Sequence, residues 1–314
     1  MLNRRHIRIK VMQVLYAAKG TESEDLKPKQ NFLDKSFASI YDLYLAQISL
    51  LIELHKKAED HLQKTQKKHL ATAEDKNPNP KFLNNEILLH LKNNEALQAK
   101  LEGRNVNFWN LELEYVDILF KEIRESDLYK SYMSTRTSSF KEDKFLIIDL
   151  FTDIIAPNDK LYDLFEDKNL TWLDDLPVVN TTILKLLKKI KPNSPEQVFL
   201  PKLFKEIDDS DFGTDLLNKT ILNQSSFNEE IANKTKNWDA DRITRIDTVL
   251  LQMAICEFQK FPSIPVKVTI NEYLEIAKEY STPKSSNFVN GILDKLVREY
   301  KANDNLNKVG RGLM

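Results

Sequence analysis

The residues best suited to chemistry lie near the two ends of the chain. Arg4, Arg5 and Arg8 fall within the first nineteen residues, a stretch that also holds Lys10 and Lys19 and no acid, although the 314-residue chain as a whole carries a formal net charge of -1. Guanidinium groups fork onto phosphate oxygens, so such a run at the start of a helix suits an anionic partner, while the plainer reading is a solvated basic face. At the far end, Lys284 and Phe288 stand in STPKSSNFVNG. An aromatic that stays exposed offers a flat apolar face to a partner. Phe288 can equally be the first core residue of the helix it opens.

Other chemistries find no support. His55, His61, His69 and His90 never stand at i,i+4 spacing and no cysteine joins them, so they read as members of a wet charged face and no metal site is expected. The single cysteine, Cys256, excludes an internal disulfide and suits a reduced cytoplasm. Asp174 and Asp175, like Glu229 and Glu230, adjoin in sequence and point apart on a helix, which leaves no two-carboxylate site. Six glycines are too few for phosphate loops, and no G-x-S-x-G, Walker or G-x-G-x-x-G motif occurs, so no catalytic residues and no cofactor are expected.

The elements that must carry these residues read as helices. Asn3 can cap a helix with Ile7, Val11, Val14, Leu15 and Ala18 on its apolar side, and Gly20 is the natural stop. A second pattern runs Leu33, Phe37, Ile40, Tyr44, Ile48, Leu51 and fades into HKKAEDHLQKTQKKHL, a long arm whose far end is solvated. NPNP at Asn77–Pro80 then breaks the chain, and the earliest proteolytic cut is expected between Lys67 and Lys81. Ile87, Leu88, Leu91, Leu97 and Leu101 predict one further helix ending at Gly103, and Phe108 to Ile123 another. No run of eighteen uninterrupted apolar residues occurs, so no transmembrane span is expected.

From about Phe145 the chain corresponds to itself at an offset of 66: Asp149, Leu150, Ile155, Lys168, Trp172, Asp175, Thr182 and Leu184 align with Asp215, Leu216, Ile221, Lys234, Trp238, Asp241, Thr248 and Leu250. Either a duplicated helical unit or a chance match of two helix pairs accounts for it. In NWDADRITRIDTVLLQMAICEF, Asn237 or Asp239 can cap a core helix; a proline-stiffened connector, a further helix and a last helix capped by Ser285 or Ser286 follow. Gly291 inside that last helix suggests a close helix contact.

W-x3-R-I, then L-x-x-A-x-x-E-F, P-x-K-V-x-I-N-E-x-x-E-x-A-K and F-V-N-G-I-L-D resemble the C-terminal half of NusB-type transcription antitermination factors. The opening arginines with V-M-Q-V-L-Y are similar to that family's first helix. The resemblance implies an all-α fold of helical bundles and a cytoplasmic protein without catalytic activity. By the same resemblance, it would bind boxA-like single-stranded RNA with the small-subunit ribosomal protein NusE. It would reach the RNA polymerase elongation complex through other Nus factors, and no membrane is implied. Arg4, Arg5, Arg8, Phe288 and Lys284 would form the RNA surface. Two positions depart from the family pattern: Gln252 stands where an arginine is usual, and Lys284 where an acid is.

The division expected is a basic helix over 1–20, an unmatched helical insertion over 21–144, a helical segment and possible partial repeat over 145–205, and a NusB-like bundle over 206–314. Two rivals remain: a helical scaffold for protein partners without RNA binding, and a NusB-like domain linked to ribosomal RNA methylation. The second would need a glycine-rich cofactor domain, whereas only Gly310 and Gly312 follow the bundle.

Overall fold

A computed structural model of the chain describes residues 1–18, 25–67, 72–235, 243–306 and 308–309. Among these residues the regular elements are all helical, and a single isolated parallel bridge joins Leu2 to Phe204. The helices are α1 (Arg4–Ala18), α2 (Leu26–Gln66), α3 (Ala73–Lys76), α4 (Glu86–Lys92), α5 (Glu95–Arg104), α6 (Leu113–Glu125), α7 (Asp127–Tyr132), α8 (Phe140–Leu150), α9 (Asp159–Lys168), α10 (Trp172–Lys189), α11 (Asp209–Leu222), α12 (Gln224–Thr235), α13 (Arg245–Lys260), α14 (Val266–Tyr280) and α15 (Ser285–Ala302). They divide into two compact units: Met1 with Ala38–Leu203, and Leu2–Phe37 with Phe204–Met314. Most of the stretches expected as an insertion and as a partial repeat thus falls in the Ala38–Leu203 unit, and the first helix belongs to the unit that holds Phe204–Met314.

In the Ala38–Leu203 unit, α2 is the spine. Ile40, Tyr44, Ile48 and Leu51 recur at helical spacing and are buried as their period demands. Buried polar tips need partners, and they find them on this spine: the Trp109 indole donates to Ala46 O at 3.0 Å, Trp172 donates to Ser39 O at 3.0 Å, and the Tyr44 hydroxyl donates to Phe199 O at 2.7 Å. α2 contains a stretch long and apolar enough to cross a membrane, but most of that stretch is buried inside the protein.

Several local readings change. The helix expected through Leu101 is two helices: Asn93 C-caps α4, and Asn94 N-caps α5, accepting from Leu97 N at 2.8 Å while donating to Glu196 O at 2.9 Å. α5 ends at Asn105 in the left-handed region (φ 52°), not at Gly103. NPNP is anchored on its far side: the buried Lys81 ammonium donates to Tyr132 O, Thr135 Oγ1 and Glu142 Oε1 at 2.6–2.7 Å. His55 is buried, not wet. Leu83 O can only accept, so its contact with Nε2 at 2.9 Å puts the proton there, and among the described residues Nδ1 has no hydrogen-bond partner. Burial lowers the His55 pKa. Trp172 is a core residue, while Trp238, Gly20 and the caps expected at Asn237 or Asp239 lie outside the described residues.

In the second unit α13 is the central helix, buried from Val249 through Phe258. Thr244 and Asp247 form its capping box, each side chain accepting from the other's backbone N–H. The Asp247 carboxylate also accepts from Ser281 Oγ at 2.8 Å and Ser285 Oγ at 2.9 Å, which ties α15 to the start of α13. Ser285 therefore serves α13; α15 itself follows Lys284 without a side-chain cap. At the other end of α13, the Lys308 ammonium donates to Glu257 O and Phe261 O at 2.8 and 2.9 Å, pairing a cation with the negative end of the helix. The close glycine contact is at Gly213, where a Cβ would lie 2.9 Å from Ile7 Cγ2 and 3.1 Å from the Phe37 ring; at Gly291 a Cβ would meet open space.

Candidate nucleic-acid interface

α1 begins as the sequence predicts, with Asn3 Oδ1 accepting from Arg5 N at 2.9 Å and His6 N at 3.2 Å. One helical face then carries Ile7, Val11, Val14 and Leu15 into the core beside α11 and α13. The three arginines separate according to where that face ends.

Arg8 is not on the surface. It is 2% exposed, and its Nε and Nη2 donate to the two oxygens of Glu257 at 2.6 and 2.9 Å. Glu257, 0% exposed, also accepts from Thr269 Oγ1 at 3.1 Å and the Tyr273 hydroxyl at 2.8 Å. Phe212 and Tyr273 lie against the guanidinium, their ring centres 5.2 and 5.8 Å from Arg8 Cζ. Burial works against the charged guanidinium, but the Glu257 charge and its hydrogen bonds outweigh it and raise the Arg8 pKa. The expectation that Arg8 meets RNA is corrected: its fork is filled, it is shielded from solvent, and it fastens α1 to α13 and α14.

Arg4 and Arg5 remain accessible, with side chains 43% and 40% exposed. Arg4 Nε donates to the buried Asp209 at 3.2 Å, and its guanidinium lies over the Phe212 ring at 5.0 Å. Arg5 holds Glu272 by two bonds, Nε to Oε2 at 2.9 Å and Nη2 to Oε1 at 2.8 Å. That hydrogen-bonded cation raises the Arg5 pKa and lowers that of Glu272, against the effect of burial on each. Together with Asn3, Ser263, Ile264, Pro265 and Val268, these side chains line an open cleft of about 470 Å³. Glu272 was missed as a site residue although it lies in the quoted I-N-E, because nothing in one sequence indicates that it faces Arg5.

Phe288 is corrected as well: it is only 8% exposed and belongs to the core face of α15 with Val289, Ile292 and Leu293. Lys284 is exposed, but it does not adjoin Arg4 and Arg5. Ser281 and Ser285 tie its loop to the Asp247 end of α13, whereas Glu257, near the other end of that helix, holds Arg8. The exposed aromatic at the Lys284 end is Tyr16, 42% exposed, with the Arg245 guanidinium 4.6 Å from its ring centre and donating to Tyr16 O. The expected surface is thus split between the two ends of α1, which by helical rise over its 15 residues lie about 21 Å apart.

Among the described residues no cluster of His, Cys, Asp and Glu could hold a metal ion. Cys256 is buried, and burial pushes its thiol up to about 12, so the reactive thiolate is suppressed.

A model described as the NusB family matches residues 181–298. The chain is 42% identical over 104 residues to "Transcription antitermination protein NusB" of Salinibacter ruber, covering 33% of this chain and 65% of the relative. It is 44% identical over 109 residues to the protein of the same description from Chloroherpeton thalassium, covering 35% and 52%, and 39% identical over 85 residues to that of Geotalea uraniireducens, covering 27% and 59%. The chain therefore spans just over half to just under two thirds of these relatives' own lengths. No solved structure matches it. The chain carries a NusB-family domain at residues 181–298.

Proposed function

We propose that this protein is a transcription antitermination factor that binds boxA-like single-stranded RNA together with the small-subunit ribosomal protein NusE. It acts in the cytoplasm on the RNA polymerase elongation complex, through other Nus factors. The observation that carries this reading is the 39–44% identity of its C-terminal region to proteins described as transcription antitermination factors. Exposed guanidinium groups on α1 add physical support. Arg4 and Arg5 contact phosphates in the cleft, and Lys284 contacts the strand at the other end of α1. The mechanism is assembly without bond chemistry: phosphate contacts and a protein interface pool their binding energy to hold a nascent transcript near the enzyme. A filter-binding assay with boxA-like and scrambled RNA, with and without NusE, tests it. Tighter binding of the boxA-like strand is the expected result; no retention of either RNA at low salt refutes the RNA reading and leaves the scaffold alternative.

A further inference from the structure

The three carboxylates that accept hydrogen bonds from the opening arginines are not equivalent. Asp209 is buried and also accepts from Glu206 N at 3.1 Å, and Glu257 is buried among four donated hydrogen bonds; both are fixed parts of the core. Glu272 is 21% exposed at the cleft, and among the described residues its carboxylate takes hydrogen bonds from Arg5 alone. It stands 3.8 Å from Arg8 Nη1 as well. Two parallel N–H···O bonds to one planar anion are also the geometry in which a guanidinium grips a phosphate. A phosphate seeking Arg5 therefore finds the position filled and a negative charge beside it.

Resting on the reading of Arg4 and Arg5 as phosphate contacts, we propose that Glu272 is a built-in competitor: it fills the Arg5 fork in the free protein and is exchanged for an RNA phosphate on binding. Being tethered, Glu272 returns to the fork at the high effective concentration of an intramolecular ligand, which a lone phosphate ion cannot match. A nucleic-acid strand can, because the displacement is needed once while the strand gains further contacts at Arg4 and beyond. The carboxylate thus lowers affinity for all anions and biases the cleft toward polyanions.

The test is the affinity of a labelled boxA-like RNA oligonucleotide, at one salt concentration, for wild type, Glu272→Gln, Glu272→Asp, Arg5→Ala and the Arg5→Ala/Glu272→Gln double variant. Glu272→Gln is expected to tighten binding about two- to fivefold, the equivalent of releasing a partly exposed ion pair. Glu272→Asp keeps the charge but shortens the reach by one methylene, and should also tighten binding. In the Arg5→Ala background the gain from Glu272→Gln should nearly vanish, since no fork remains to be released. Equal gains in both backgrounds, or no gain from Glu272→Asp, would show that the charge acts only at a distance and overturn the exchange. Failure of the underlying reading looks different: Arg4→Ala and Arg5→Ala would then keep wild-type affinity.

Discussion

Replacing Arg8 by Ala should destabilise the C-terminal unit, and the size of the loss follows from its surroundings. The pair with Glu257 is bidentate at 2.6 and 2.9 Å, and neither partner reaches solvent. Removing one member of a buried pair leaves an uncompensated charge, which costs about 3–5 kcal/mol. Thr269 and Tyr273 continue to donate to Glu257, which favours the lower half of that range. Against a total stability of roughly 5–15 kcal/mol, such a loss is large. Urea unfolding followed by far-ultraviolet circular dichroism should therefore show a clear fall in midpoint. Arg4→Ala and Arg5→Ala remove partly exposed pairs worth about 0.2–1 kcal/mol and should unfold close to wild type. A deficit below about 1 kcal/mol would refute the account of Arg8 as a buried fastener.

Four further outcomes are expected. The Arg4→Ala/Arg5→Ala variant should flatten the dependence of log K on log salt by about 1.4, at roughly 0.7 per lost phosphate contact; an unchanged slope in a filter-binding titration would remove both arginines from the interface. Phe288→Ala should lower stability by about 3–5 kcal/mol in a urea melt, as for a core aromatic, and a folded variant with reduced affinity but native stability would restore the stacking role. Gly213→Ala should lose about 1–3 kcal/mol by overpacking against Ile7, while Gly291→Ala should gain about 0.5–1 kcal/mol from helix propensity, so equal shifts in melting temperature would contradict the packing described. The His55 pKa lies below its ordinary 6.5 through burial, so the unfolded chain binds the proton first. Stability of the Ala38–Leu203 unit should then be full above about pH 6.5 and decline as pH falls toward the folded value, and His55→Gln should reduce that decline in urea midpoints compared at two pH values.

The helices were legible because their signals are local. Apolar residues at three- and four-residue steps mark α2, α13 and α14, and Asn3 caps α1 as its side chain allows. What escaped depends on residues distant in the chain. Arg8 meets an acid 249 positions away and Arg5 one 267 positions away, so local sequence gives all three arginines the same appearance. Gly213 looked unremarkable because its crowding comes from Ile7 and Phe37, whereas Gly291 attracted notice by standing mid-helix, where open space surrounds it. Asn94 opens a new helix because its amide both caps α5 and reaches Glu196, a contact that apolar periodicity does not record.

The division of the arginines also decides how α1 can serve binding. Arg4 and Arg8 lie four residues apart and so share a helix face, yet only Arg4 is solvated, because one turn farther along the face enters the layer of Phe212 and Tyr273. The buried pair clamps the second turn of α1 to α13 and α14, and this fixes where Arg5 can reach. An interface held this way loses little conformational freedom when a strand docks, since its backbone is already fixed by the core. It also follows that weakened RNA binding in an Arg8 variant is no evidence of contact. Such a loss points to contact only if stability is retained, and the geometry of Arg8 and Glu257 predicts that it is not.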